Sequence, residues 1–138
     1  MSLFSTFDVA GSALSAQSLR LNLTASNLAN MNNVAGDPAN VYQPRYPVFR
    51  AQQPSFADAM RSAGVEVLGV FVSQAPPIAR DDPGHPEANE DGIVYASNVN
   101  LAEEMANMIS ASRSYQSNLE VINTAKELLS RTLSLGQG

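Results

Sequence analysis

The chain has 138 residues, enough for one domain with a modest core, and its 44% hydrophobic content excludes wholesale disorder. A net charge of -5 with only eight basic residues, none of them clustered, argues against nucleic acid or an anionic membrane as a partner. The sequence has no apolar run long enough for a membrane-spanning helix, and the absence of cysteine excludes disulfides.

The first segment, residues 1–33, predicts a long helix. Large apolar side chains recur every seven residues, with small residues between them, at Phe7, Leu14, Leu21 and Leu28. Up to residue 35 the only charged side chains are Asp8 and Arg20, and the other polar ones are Ser, Thr, Asn and Gln. Solvated helix faces normally carry charges. This composition therefore favours a helix surrounded by other polypeptide, with an ordinary amphipathic helix of a monomer as the alternative.

The middle segment, residues 34–97, predicts an extended loop and a small β-hairpin. Residues 32–54 are interrupted by prolines and a glycine and are expected to form a loop. Residues 56–63 are expected to hold a short helical turn. Residues 65–73 and 92–96 are rich in β-branched and aromatic side chains and predict two strands, which we expect to pair with each other. The sequence Asp82-Pro83-Gly84 predicts a turn.

The last segment, residues 98–138, predicts a second long helix. An apolar stripe with alternating four- and three-residue steps runs along it, interrupted at Ser112 and Lys126. Asn100 is a suitable N-cap, with Glu103 at the capping-box position, and Gly136 is a suitable C-cap. From Leu101 to Leu135 such a helix is roughly 50 Å long. A second stripe on the same helix widens the apolar surface beyond what one partner helix covers.

The predicted fold class is mainly α with a small β insertion. The two terminal helices are expected to pack as an antiparallel coiled-coil-like pair, with the extended loop and β-hairpin between them. The three segments 1–33, 34–97 and 98–138 are the expected structural divisions of the chain.

A cluster of acidic residues around the only histidine, residues 81–91, is the one candidate metal site. Its spacing matches no defined metal loop, since Pro83 and Pro86 stand where an EF-hand loop would need ligands and a glycine. A solvated acidic turn is the favoured interpretation. No nucleophile elbow or phosphate-binding loop is present, and the single His85 lies before a proline. The sequence predicts neither an enzyme nor a cofactor.

Several sequence strings resemble those of the bacterial flagellar rod and hook proteins. At the N-terminal end they are FDVAGSAL at residues 7–14 and ASNLAN at residues 25–30. At the other end they are NVN at residues 98–100, MISASRSYQ at residues 108–116 and TLSLGQ at residues 132–137. The short chain and its ending are most similar to a proximal rod protein. Residues 31–42 depart from the Thr-x-Gly-Tyr turn of longer members, which argues against a distal-rod or hook protein.

The resemblance implies a structural subunit of the proximal rod of the flagellar basal body, the drive shaft that crosses the periplasm and transmits torque. It implies self-assembly and contacts with other proximal and distal rod subunits and with ring and export components. Type III export with an uncleaved N-terminus is expected. The predicted assembly interface comprises Phe7, Leu14, Leu21, Asn27, Leu28, Asn30, Leu101, Met105, Met108, Tyr115, Leu119, Ile122, Leu129 and Leu133. The alternative function is a helical-hairpin adaptor or chaperone of a flagellar-type export system, which should expose a charged helix face.

Overall fold

A computed structural model describes residues 3–52 and 63–136 of the chain. Two long helices, α1 (Leu3–Ala29) and α2 (Leu101–Leu135), enclose five short strands in the sequence. The strands are β1 (Val34–Ala35), β2 (Arg45–Ala51), β3 (Val65–Val72), β4 (Ile78–Asp81) and β5 (Ile93–Ala96). A short 3-10 turn, Pro38–Asn40, lies between β1 and β2. Two terminal helices with a small antiparallel β region between them were predicted from the sequence, and this arrangement is confirmed.

The two helices lie side by side in antiparallel directions. Near the end of α1, the side chain of Asn27 bonds to Glu104 in the first turn of α2, whereas Thr6 at the start of α1 lies near the later part of α2. The most buried apolar side chains of both helices are small: Ala10, Ala16, Ala111 and Ala125. Small side chains let helix backbones approach closely. The coiled-coil character of this pair stays a prediction.

The small residues of the predicted α1 stripe do not take part in this close packing. Gly11, Ser18 and Ala25 are exposed, and the buried alanines lie at other positions of the helix. The reason is that α1 packs against strands as well as against α2. A regular heptad pattern describes contact with one helix, whereas a helix with two kinds of neighbour buries residues outside that pattern.

The ends of α2 follow the sequence closely. The Asn100 side chain accepts hydrogen bonds from the backbone N–H groups of Ala102 and Glu103, at 3.0 and 3.4 Å. These bonds satisfy two of the donors that a helix start leaves unpaired. At the other end the N–H of Gly136 donates to the carbonyl of Thr132 at 3.2 Å, with a helical φ of -80°. Glycine is thus the cap, but not through a left-handed conformation.

The strand pairing differs from the prediction. β3 pairs with β2 in a two-stranded antiparallel sheet, and β5 lies between β1 and β4 in a separate three-stranded sheet. The predicted hairpin of residues 65–73 with 92–96 is therefore wrong, and the predicted loop at residues 32–54 contains β2 and β1. The sequence predicted a loop instead of β2 because Pro47 interrupts this segment, and proline is rare inside strands. It is tolerated because its nitrogen points away from β3, at an edge where no ladder bond is lost.

Two local features interrupt the regular strands. The β2–β3 register shifts between Val48 and Phe49, and Leu68 is left without a partner as in a β-bulge. Gly92 has a φ of 75°, and a Cβ there would lie 2.9 Å from the Cβ of Pro83. A non-glycine residue is excluded by both conformation and space. The predicted Asp82-Pro83-Gly84 turn is confirmed by a hydrogen bond from His85 N–H to the carbonyl of Asp82.

Two further sequence predictions concern residues 56–63 and a membrane-spanning helix. The helical turn predicted for residues 56–63 lies almost entirely outside the described residues. Neither of the two described helices combines the length and the hydropathy that crossing a bilayer would need.

Candidate assembly surface

A buried polar cluster, here called the Asn27 cluster, joins α1, β2 and α2. The Asn27 side chain is completely buried. Its oxygen accepts from Tyr42 Oη at 2.8 Å and from the backbone N–H of Arg45 at 3.0 Å. Its nitrogen donates to the carbonyl of Arg45 at 3.0 Å and to Glu104 Oε2 at 3.1 Å. All four hydrogen-bonding positions of the amide are therefore used inside the subunit.

Asn27 pairs with Arg45 as a neighbouring strand would, because it bonds to both the N–H and the C=O of that residue. The amide thus closes the outer edge of β2 at its first residue. Asn27 was predicted as part of the assembly interface, and the structure places it in the interior of the subunit. Its neighbour Asn30 is half-buried and donates to the carbonyl of Ser26 at 2.8 Å, so it helps to end α1.

Glu104 is a buried carboxylate in the Asn27 cluster, with only 1% of its surface exposed. Its Oε2 accepts from Asn27, and within the described residues its Oε1 has no hydrogen-bond partner. The start of α2 supplies a favourable partial positive charge. Burial of the phenol, followed by the negative charge of Glu104 beside it, raises the pKa of Tyr46 to about 12. The cluster is therefore a polar contact that joins the end of α1 to the start of α2 and to β2.

The uncharged polar residues of α1 have partners within the subunit along much of the helix. Ser12 Oγ donates to the carbonyl of Val9 and accepts from the N–H of Val65 at 3.0 Å. Arg20, one of the two charges of this helix, donates to Asn107 of α2 at 2.8 Å. The sequence predicted that such side chains would find partners in surrounding polypeptide. The structure shows that β3, β2 and α2 of the same chain provide several of them.

The apolar residues of the predicted interface divide into two groups by exposure. Eight are half-buried within the subunit: Phe7, Leu14, Leu21, Leu28, Met108, Tyr115, Ile122 and Leu129. Four on α2 face solvent: Leu101, Met105, Leu119 and Leu133. The second α2 stripe adds further exposed side chains, Ile109, Val121, Leu128 and Leu135. Which of these residues form contacts between subunits stays a prediction.

A groove of about 420 Å³ opens between the start of α1 and the second half of α2. Its lining residues are Thr6, Ser117, Glu120, Val121, Thr124, Ala125 and Leu128. Beyond it, Leu133 and Leu135 are 62% and 83% exposed, and Phe4 on α1 is 71% exposed. This end of the helix pair, here called the open end, presents apolar side chains without a cover inside the described chain. It has the character of a surface that another polypeptide packs on.

β3 forms a second apolar surface, which was not predicted from the sequence. β3 exposes large side chains on both faces, at Val67, Leu68, Val70, Phe71 and Val72. The signal was present, because the run of residues 65–72 is apolar at nearly every position instead of alternating. Such a run predicts a strand covered on both sides. Within the described chain only part of one face is covered, through the contact of β3 with α1.

The acidic turn at residues 81–91 is built from its own hydrogen bonds. His85 Nδ1 accepts from the N–H of Glu87 at 3.1 Å, and Asn89 Oδ1 accepts from the N–H groups of Asp91 and Ile93. Across residues 3–52 and 63–136, no three acidic or histidine side chains converge in a way that could hold a metal ion.

Comparison with known proteins agrees with this organisation. Residues 7–36 match the family model described as flagella basal body rod protein. Residues 90–135 match the one described as flagellar basal body rod FlgEFG protein C-terminal. These two ranges contain most of α1 and all of α2.

Full-length relatives extend the agreement to the middle of the chain. The flagellar basal-body rod protein FlgC of Salmonella typhimurium is 47% identical over 137 residues, which cover 99% of this chain and 100% of the relative. That of Yersinia enterocolitica is 48% identical over 138 residues, with 99% and 100% covered. That of Borreliella burgdorferi is 33% identical, with both chains fully covered. The chain therefore belongs to the FlgC family of flagellar basal-body rod proteins.

Proposed function

We propose that this chain is a structural subunit of the proximal rod of the flagellar basal body, where it assembles through its terminal helices and transmits torque mechanically. The observation that carries the proposal is the row of apolar side chains that α2 leaves exposed along its length, in a member of a rod-protein family. The helix pair offers a long rigid element, and its exposed stripes offer contact surfaces on more than one side. No catalytic step is involved.

Assembly would bury the apolar side chains of α2 that the isolated subunit exposes to water. Burying a leucine or methionine side chain fully is worth roughly 1.5–3 kcal/mol. Leu101, Met105, Leu119 and Leu133 are each about half exposed or more. Association also costs translational and side-chain entropy. Contacts repeated on several neighbours offset that cost, and this favours a multi-subunit tube over an isolated pair.

The proposed partners are other copies of this chain and other proximal and distal rod subunits, together with ring and export components of the basal body. The proposed location is the periplasmic part of the basal body, reached by type III export with an uncleaved N-terminus. The sparse charge of α1 supports packing among other subunits, since Asp8 and Arg20 are its only charged residues and its other polar side chains are uncharged. An export adaptor or chaperone, which works in water, would need a charged outer face.

The test is complementation of a deletion of the gene in the native bacterium. We expect motility to return with the wild-type chain, and mass spectrometry of isolated basal bodies to detect it in the rod fraction. A variant with His85→Ala, at the acidic turn, serves as the control and should behave as the wild type. A chain that restores export of other rod proteins, yet is absent from the isolated basal bodies, would identify an adaptor instead.

A further inference from the structure

The outer edge of β3 is an open strand edge. Hydrogen bonds at both ends of the β2–β3 ladder, from Ser73 N–H to Pro44 O and from Gln52 N–H to Gly64 O, fix which residues bond across it. In an antiparallel ladder the residues between bonded pairs direct their N–H and C=O outward. On β3 these outward residues are Val65, Val67, Val70 and Val72.

The subunit closes the other edge of this sheet at the start of β2, whereas most of the β3 edge is open. On β2 the outward groups of Arg45 bond to Asn27, and Pro47 has no N–H to offer. On β3 the N–H of Val65 donates to Ser12, and the carbonyl of Val72 accepts from the exposed Gln74 side chain at 3.3 Å, a bond that a neighbouring strand would replace. In the part of the chain that the structure describes, nothing accepts from the outward N–H groups of Val67, Val70 and Val72. An apolar, open edge is a template for another strand.

A second open edge lies on β4. The hydrogen bond from Asp82 N–H to Gly92 O sets the phase of the β4–β5 ladder, so Ala79 and Asp81 direct their backbone groups outward. All four residues of β4 are exposed. Within residues 3–52 and 63–136, these outward groups have no partner either.

We propose that β3 of one subunit pairs with β4 of a second copy of this chain, joining the two sheets across the subunit boundary. The inference rests on the proposed function, in which copies repeat in a polar tube. Pairing of β3 with β3 would be two-fold symmetric and would turn neighbours in opposite directions. A heterologous contact between two different edges repeats with one direction, as a rod requires.

Prolines select one antiparallel register for this contact. With Val72 opposite Ala79 and Val70 opposite Asp81, all four residues have N–H groups, and each pair forms two backbone hydrogen bonds. Sliding by two residues either way brings in Pro77 or Pro83, which have none. This register also places Arg80 opposite Phe71, which is 51% exposed. Arg80 has no ion-pair partner among the described residues, and a guanidinium over an aromatic ring is attractive.

The test uses the absence of natural cysteine. In isolated basal bodies, oxidised Phe71→Cys with Arg80→Cys should yield a disulfide-linked species of twice the 14.7 kDa subunit mass, or larger linked chains. Each single variant should yield none. The matched control, Phe71→Cys with Ala79→Cys, places the sulfur atoms on opposite faces of the strands and should also yield none.

A proline variant tests the same contact without a crosslink. Val70→Pro removes an N–H that faces outward and leaves the β2–β3 ladder intact, whereas Val70→Ala keeps the N–H. We expect Val70→Pro to reduce the number of rods at least tenfold, with normal secretion and an unchanged circular dichroism spectrum of the purified subunit. Val70→Ala should assemble within twofold of the wild type.

The outcomes separate this inference from the proposed function. A dimer from Phe71→Cys alone, a crosslink to a different rod protein, or no crosslink although the subunit is in the basal bodies would overturn the strand contact only. Should the double-cysteine variant fail to assemble, equal rod numbers for Val70→Pro and Val70→Ala would overturn it. Absence of the wild-type chain from basal bodies would overturn the proposed function as well.

Discussion

At one end of the helix pair, Asn27 and Glu104 are buried in hydrogen bonds that the subunit completes almost entirely by itself. At the open end, near Thr6 and Leu128, a groove separates the helices and large apolar side chains face solvent. The first region is specific and self-sufficient, because a buried polar group must be satisfied. The second has apolar surface without a cover. The comparison indicates that the Asn27 cluster sets the shape of the subunit and the open end joins it to its neighbours.

The largest expected effect is loss of assembly when the open end receives a charge. Leu133→Lys and Leu119→Lys place an ammonium where a neighbour packs, at a cost of several kcal/mol at every subunit. We expect secretion to continue and rods to fail, measured by motility and by electron microscopy of basal bodies. Both leucines are exposed in the subunit, so its own stability should change little.

The control for these variants is Arg131→Lys, which keeps a positive charge at an exposed position of the same helix segment. Leu14→Lys, Leu21→Lys and Ile122→Lys are also expected to abolish rods, but these half-buried residues should destabilise the subunit too. Normal motility of both Leu133→Lys and Leu119→Lys would show that the open end is not a contact surface.

The next effect concerns the Asn27 cluster. Asn27→Ala leaves the N–H and C=O of Arg45 and the Glu104 carboxylate without their partner and removes one of the two partners of the Tyr42 hydroxyl, which should cost roughly 3–5 kcal/mol. Urea unfolding of the purified subunit measures it. Asn22→Ala, an exposed asparagine on the same helix, should change stability by less than about 0.5 kcal/mol. Equal losses in the two variants would contradict the structural role of the cluster.

A smaller effect is expected from the Tyr46 hydroxyl at high pH. Because the folded state raises the pKa of Tyr46 to about 12 from 10.0, the unfolded chain loses this proton first. The stability that depends on the neutral phenol is therefore complete below pH 10 and declines as the pH rises from 10 to 12. Urea unfolding between pH 9 and 11 should show a steeper decline for the wild type than for Tyr46→Phe. Identical slopes would mean that Glu104 and burial do not act on this phenol.

The smallest effect is expected at the acidic turn. His85→Ala and Asp82→Asn remove side chains from a turn that faces solvent, so each should cost within about 0.5 kcal/mol and leave motility intact. Metal analysis of the purified chain should find no stoichiometric ion. Bound metal that disappears in these variants would assign the turn a different role.

The sequence predicted the regular elements of this molecule better than their partners. Both helices and the Asn100 cap follow from local signals, since periodicity and capping depend on neighbours a few residues apart. The β3 strand was also predicted, but not its pairing with β2. Pro47 made β2 read as a loop, and which edge of a sheet tolerates a proline is decided only by tertiary structure.

The candidate assembly surface was also predicted only in part from the sequence. Exposure along α2 was anticipated from a stripe too wide for one partner. The role of Asn27 was not, because an asparagine inside a helix carries no local sign that its amide will close a strand edge 18 residues away. The Asn27 cluster forms where α1, β2 and α2 meet, and only the tertiary structure of the subunit shows this contact.

Hydrogen exchange of the free subunit and of assembled rods tests the central comparison most directly. From the sequence, the charge-poor α1 and the wide apolar stripes of α2 predict weak protection over Phe4–Asn30 and Leu119–Leu135 in dilute solution, because one partner helix cannot cover them. Because the Asn27 cluster is packed within the subunit, we expect weak protection only at the open end. We expect strong protection in the monomer around residues 24–29 and 104–111, weak protection at residues 4–10 and 119–135, and strong protection of all four ranges in rods. Uniformly strong protection in a proven monomer, or a weakly protected Asn27 cluster, would contradict this account.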